Sequence, residues 1–116
     1  LRITFRDTLS ANVSPEDSTF ALSVKFWDDG GEPWLAAAPT TVDYRVDCLT
    51  TGVTMTDWTS VSPAAVVTIN VPVAANAINS EVNWREKRQL TVKANKDLST
   101  QYLSNFTYYV ENNSAI

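Results

Sequence analysis

Phe20-Ala21-Leu22-Ser23-Val24-Lys25-Phe26 is the stretch that decides the fold. Large apolar side chains occupy every second position, with Ala21, Ser23 and Lys25 between them. A β-strand sends successive side chains to opposite faces, so this stretch has one dry face and one wet face. The same alternation returns downstream. Val42, Tyr44, Val46 and Cys48 alternate with Asp43, Arg45 and Asp47. Val67, Ile69 and Val71 form a third run, Leu90, Val92 and Ala94 a fourth, and Phe106, Tyr108 and Val110 a fifth. A shorter run at Val53 and Met55 is expected to end near Trp58. Residues 2–6 set Ile3 and Phe5 against Arg2, Thr4 and Arg6.

Turn-forming residues separate these runs. Asp28-Asp29-Gly30-Gly31-Glu32-Pro33 and Leu49-Thr50-Thr51-Gly52 carry the residue types that reverse a chain. Ser62-Pro63 divides two segments, and Pro72 stops the strand before it because proline cannot donate to a ladder. Val73-Ala74-Ala75-Asn76-Ala77-Ile78-Asn79 is alanine-rich and reads as one helical turn, too short to stand alone. Short strands with one wet face and no long helix predict an all-β domain: a two-sheet antiparallel sandwich, immunoglobulin-like. Residues 1–17 read as an N-terminal arm and loop, residues 18–112 as the sandwich, and residues 113–116 as a frayed tail.

The chain has 116 residues, 44 % hydrophobic and 19 % charged, which suits one folded domain with one core. Its net charge of −4 argues against nucleic acid, since phosphate binding needs a dense cationic surface. No run of about 18 apolar residues exists, so no helical membrane span is expected. Histidine is absent. That removes the commonest general base and the commonest metal ligand, so no catalytic residue, metal or cofactor is expected. Only three glycines are present, and no phosphate-cradling loop is among them. The single cysteine, Cys48, lies in phase with Val42, Tyr44 and Val46 and reads as a small buried filler.

The acidic group Asp28, Asp29 and Glu32 could hold Ca²⁺, but its spacing matches no calcium loop, and a solvated turn is expected. Asp43 and Asp47 flank Arg45 on one face, where they compensate charge. Arg85-Glu86-Lys87-Arg88 is the densest charged run; it reads as a solvated strand start, or as a contact for an acidic partner. The sequons at Asn12, Asn105 and Asn112 read as chance in an Asn- and Thr-rich chain.

Four Trp, four Tyr and four Phe exceed what so small a core takes in. Trp27 falls opposite the Phe20–Phe26 apolar face, Trp34 follows the acidic turn, and Trp84 sits beside the basic run. Tyr109 faces away from Phe106, Tyr108 and Val110. Aromatic side chains beside charge mark protein interfaces. The interface candidates are therefore Trp27, Trp34, Trp84, Arg85, Arg88 and Tyr109, with Ile3 and Phe5 on the arm. The arm, Leu1–Leu9, is expected to add a strand to a neighbouring subunit.

The order of segments also carries a resemblance. Phe20–Trp27, the Asp28–Pro33 turn, Thr40–Val46, the Leu49–Gly52 loop, Asp57-Trp58-Thr59, Ser62–Ala65, the strand to Val71, the alanine-rich turn, Arg88–Ala94 and Phe106–Asn112 follow one another in sequence. Together they resemble the small immunoglobulin-like or fibronectin-type-III-like structural proteins of tailed bacteriophages, over about residues 18–112. The chain lacks the paired cysteines of antibody domains, so nothing about antibody binding loops carries over. The resemblance implies a non-enzymatic virion component in many copies or as a homo-oligomer. Its partners would be capsid proteins, as a head decoration or cement protein, or neck and tail proteins, as an adaptor or tube component. A glycan-binding module for host attachment, with Trp34 beside Asp28, Asp29 and Glu32, is the third expectation.

Overall fold

The computed structural model describes residues 1–9, 11–96 and 100–112. The described strands are β1 (Arg2–Asp7), β2 (Val13–Pro15), β3 (Phe20–Asp28), β4 (Leu35–Ala36), β5 (Thr41–Cys48), β6 (Thr54–Val61), β7 (Val66–Val71), β8 (Arg85–Asn95) and β9 (Gln101–Glu111). They form two sheets. In the first, β3 is central, with β1 on one side and β7 and the short β4 on the other. The second runs β2-β9-β8-β5-β6.

Alternation places the core. Phe20, Leu22, Val24 and Phe26 from β3, and Val67, Ile69 and Val71 from β7, face Val42, Tyr44 and Val46, Leu90, Val92 and Ala94, and Tyr108 and Val110 from the second sheet. All are buried in one cluster. Removing this much apolar surface from water, at roughly 25 cal/mol per Å², is the main force holding the sheets together. The sheets also meet through rings: Phe20 and Tyr108 make an edge contact at 4.8 Å between centroids, and Phe5 lies 5.8 Å from Phe106.

Four expectations change. Residues 2–7 are not a projecting arm; β1 pairs antiparallel with β3 of the same chain, from Arg2 opposite Trp27 to Asp7 opposite Leu22. The reason is that Ile3 and Phe5 have a place on their own core. The sandwich is also not wholly antiparallel, because β2 runs parallel to β9. β1 and β2 lie in different sheets, and Ala11 and Asn12, just before β2, take positive φ (54° and 59°). β6 continues past Trp58 to Val61, with a register shift against β5 between Tyr44 and Val46. The alanine-rich segment is a 3₁₀ turn confined to Val73–Asn76, and Ala77 is extended again. The expected tail at 113–116 lies outside the described residues.

The turn is pinned by its own polar groups. Asn76 donates from Nδ2 to Ser18 O at 2.7 Å and accepts from Tyr108 Oη at 2.8 Å. Burial pushes the Tyr108 phenol well above its ordinary range, so it stays a donor.

Candidate binding surface

Arg88, an interface candidate by its charged neighbours, is completely buried. Leu90, Val92 and Ala94 point inward, and stepping back by twos along β8 reaches Arg88 and then Glu86. Both side chains lie inside the sandwich beneath the β7–β8 crossover. Arg88 Nη1 is 3.1 Å from Glu86 Oε1 and 3.0 Å from Cys48 Sγ. Its Nε and Nη2 donate to the carbonyls of Ala75 and Ala77. The carboxylate of Glu86 accepts from Asn79 N (2.9 Å), Ser80 N (3.1 Å) and Asn83 Nδ2 (3.0 Å). Burial pushes the Glu86 carboxyl up. The donors Asn79, Asn83, Ser80 and Arg88 outweigh it and hold the group below its ordinary value. This pair is an internal clamp on the crossover and offers nothing to a partner.

The other candidates separate into an inward pair and two outward groups. Ile3 and Phe5 are half-buried against the core. On the outer face of the first sheet, Trp27 donates from Nε1 to Thr4 Oγ1 at 2.9 Å, and Lys25 Nζ lies 3.9 Å from the Trp27 ring centre. Trp34 stands 6.5 Å from Trp27, and the Arg2 guanidinium covers one side of it at 4.6 Å. Trp34 remains 39 % exposed, and Val66, opposite Lys25 in the ladder, is 52 % exposed. This makes a ledge of two indoles and two cations, with Trp27 and Lys25 on β3, Arg2 on β1 and Trp34 just before β4, over a sheet whose inner face is core. Each exposed cation–ring contact contributes about 0.5–1 kcal/mol, enough to restrict the rotamers before any partner arrives.

The second group lies on the outer face of the other sheet, at the opposite end. The Arg85 guanidinium sits between the rings of Trp84 (4.5 Å) and Tyr109 (5.2 Å), with Glu111 Oε2 at 3.5 Å. Arg85 Nε is buried without a hydrogen-bond partner. Trp84 is 61 % exposed. Trp58, which no interface candidate included, adds a third contact on this face, where Lys93 Nζ lies 4.3 Å from its ring centre. The structure therefore does not gather the candidates into one site. Sequence parity places Trp27 and Tyr109 outward; Lys25–Trp27 and Arg85–Trp84 are local pairs along the chain, whereas Arg2–Trp34, Arg85–Tyr109 and Lys93–Trp58 depend on how the strands are arranged.

Two carboxylates of the acidic turn, Asp28 and Asp29, are occupied. Asp28 Oδ1 accepts from Gly30 N at 3.0 Å, closing the turn on itself, and Asp29 is 3.5 Å from Arg2 Nε. Among the described residues, no three His, Cys, Asp or Glu side chains come together as a metal site. Arg45 reaches Asp47 at 3.1 Å, and Asp43 accepts from Ser60, so both carboxylates of that face are engaged in surface pairs. A shallow cavity of about 310 Å³ at one end of the second sheet is lined by Thr41, Asp43, Ser60, Lys93, Asn95 and Gln101. No family model matches the chain, and neither a curated protein nor a solved structure is significantly similar to it.

Proposed function

We propose that this chain is a non-enzymatic binding domain of immunoglobulin-like type that serves as a structural protein of a tailed-phage virion. The first form of the proposal is a decoration or cement protein on the head shell. The immunoglobulin-like assignment is supported by the order in which the chain visits its sheets. Strands β1, β3 and β7 lie in one sheet and β5, β8 and β9 in the other, as the A, B, E and C, F, G strands do in that fold. The virion setting rests on the resemblance of the segment order over residues 18–112.

The observation that carries the binding role is the Trp27–Trp34 ledge with Arg2 and Lys25. Preordered indoles lose little conformational freedom on docking, and Trp and Arg dominate the binding energy of protein interfaces. The glycan reading has less to stand on: the Arg2 guanidinium already takes one side of the Trp34 ring, and Asp29 is paired.

The test is binding of wild-type protein and Trp34→Ala to purified particles that lack it. Loss of the indole is expected to weaken binding by more than tenfold with the thermal midpoint unchanged. Equal binding by the two proteins would rule out the ledge as the contact. Copy number separates the two virion settings: hundreds per particle for decoration, a small multiple of six for a neck or tail ring.

A further inference from the structure

We propose that the free edge of β9 at residues 101–107 pairs antiparallel with the same edge of a second copy, joining the second sheets of two molecules across a two-fold axis centred on Ser104. The proposal does not depend on the virion reading.

The pairing of β9 leaves this edge open. On one side β9 bonds β8 along its whole length, from Arg85–Glu111 to Asn95–Gln101. On the other side β2 covers only Tyr109–Glu111. Tyr109 N donates toward β2, to Asn12 O at 2.8 Å, and Glu111 O accepts from Glu16 N at 3.0 Å. Odd-numbered residues of β9 therefore aim their N–H and C=O groups at this edge, so Gln101, Leu103, Asn105 and Thr107 present a row of ladder groups with no strand beside them among the described residues.

The side chains tell the same story. Tyr108 and Val110, beside β2, are fully buried, whereas the inward positions Tyr102, Ser104 and Phe106 are only half-buried. The interior is thus left partly open along the seam between β9 and β1. An added strand would close it.

The occupant follows from the sequence of the edge. Residues 101–107 read Gln-Tyr-Leu-Ser-Asn-Phe-Thr, with no charge, no Gly and no Pro, which are the devices that normally blunt an edge. Antiparallel self-pairing about Ser104 puts odd residues opposite odd residues: Gln101 faces Thr107 of the second copy, and Leu103 faces Asn105. These are the hydrogen-bonded pairs, each exchanging two N–H···O bonds. Inward, Tyr102 meets Phe106 of the second copy on both sides of the axis, a favoured cross-strand aromatic pair, and the small Ser104 sits where the chains come closest. Outward, no like charges meet.

The remaining edges do not fit a second copy as well. Self-pairing of β1 about Thr4 would oppose Arg2 and Arg6. On β6, Trp58 N already donates to Asp57 Oδ1 and Asp57 O accepts from Thr59 Oγ1, which occupies the strand's own groups. β2 has three residues and ends in Pro15. β7 keeps a free edge, but Val67, Ile69 and Val71 are already buried, so pairing there would cover no more core.

The test uses the full chain in sedimentation and in hydrogen exchange at rising concentration. The wild type is expected to form a concentration-dependent dimer, with the amides of Leu103, Asn105 and Thr107 becoming protected as it forms. Asn105→Pro removes an edge donor and leaves the backbone ladder to β8 in place, losing there only the side-chain bond from Thr91 Oγ1 to Asn105 Oδ1 (3.0 Å), and Ser104→Glu sets two carboxylates opposite each other only in the dimer. Each is expected to weaken dimerisation at least tenfold, while Thr68→Lys on β7 leaves it unchanged. If Asn105→Pro does not fold, Ser104→Glu and the wild-type exchange pattern decide. A wild type that stays monomeric up to millimolar concentration overturns the proposal. So does a dimer indifferent to the folded variants, or one whose new protection falls on β1, β6 or β7.

Discussion

Replacing Arg88 by Met tests the internal clamp. The substitution keeps most of the side-chain volume but removes the guanidinium from a site with no solvent exposure. Glu86 then remains buried with only Asn79 N, Ser80 N and Asn83 Nδ2 to hold its charge. The carbonyls of Ala75 and Ala77 lose their donors as well. Breaking one side of a buried pair typically costs about 3–5 kcal/mol, because the surviving charge has no compensation. Unfolding entropy near 2.1 cal/mol/K per residue gives roughly 0.24 kcal/mol/K for a chain of this length, so the thermal midpoint should fall by about 12–20 °C. Calorimetry of Arg88→Met, Glu86→Gln and the double variant measures this as a cycle. The two single losses should exceed the double loss by about 2 kcal/mol or more, since the double variant leaves no unpaired charge. A midpoint within 3 °C of the wild type, or losses that simply add, would refute the clamp.

Glu86 also gives a pH dependence. Its folded-state affinity for protons is below the ordinary value of 4.5, so the unfolded chain binds the proton more readily. The stabilisation is complete above the unfolded value and is lost as pH falls through the folded one. Thermal midpoints taken from neutral pH down to about pH 3 should fall more steeply for the wild type than for Glu86→Gln; parallel curves would assign acid sensitivity to other carboxylates. Deleting residues 1–9 should cost several kcal/mol, because it uncovers β3 along its Leu22–Trp27 edge and removes Ile3 and Phe5. Denaturant unfolding checks this, and an unchanged midpoint would restore the free-arm reading.

Most of the fold was legible because its physics is local. A strand with one wet face writes its phase into every second residue, so Phe20–Phe26, Val42–Cys48 and Leu90–Ala94 revealed both their conformation and their inner face. Arg88 and Glu86 were misread although they share the phase of Leu90. A dense charged run reads as solvated whatever its parity, and nothing local shows that Asn79, Ser80, Asn83 and two carbonyls from the crossover converge on them. The fate of residues 1–7 was also hidden, because alternation shows that a strand forms and not which chain it joins. The outward placement of Trp27 and Tyr109 followed from parity alone. The division of the aromatic residues into ledges on two opposite sheets did not, since it depends on which strands are neighbours.

The proposed binding role rests on docking of the outer face around Trp27 and Trp34. An image of the intact particle, at a resolution that places side chains, tests it most directly. The expected result is several or many copies of the domain, with the indole of Trp34 and the Lys25–Val66 surface buried against a capsid, neck or tail protein. Absence from the particle, or a domain attached by another face with Trp34 left in solvent, would contradict it.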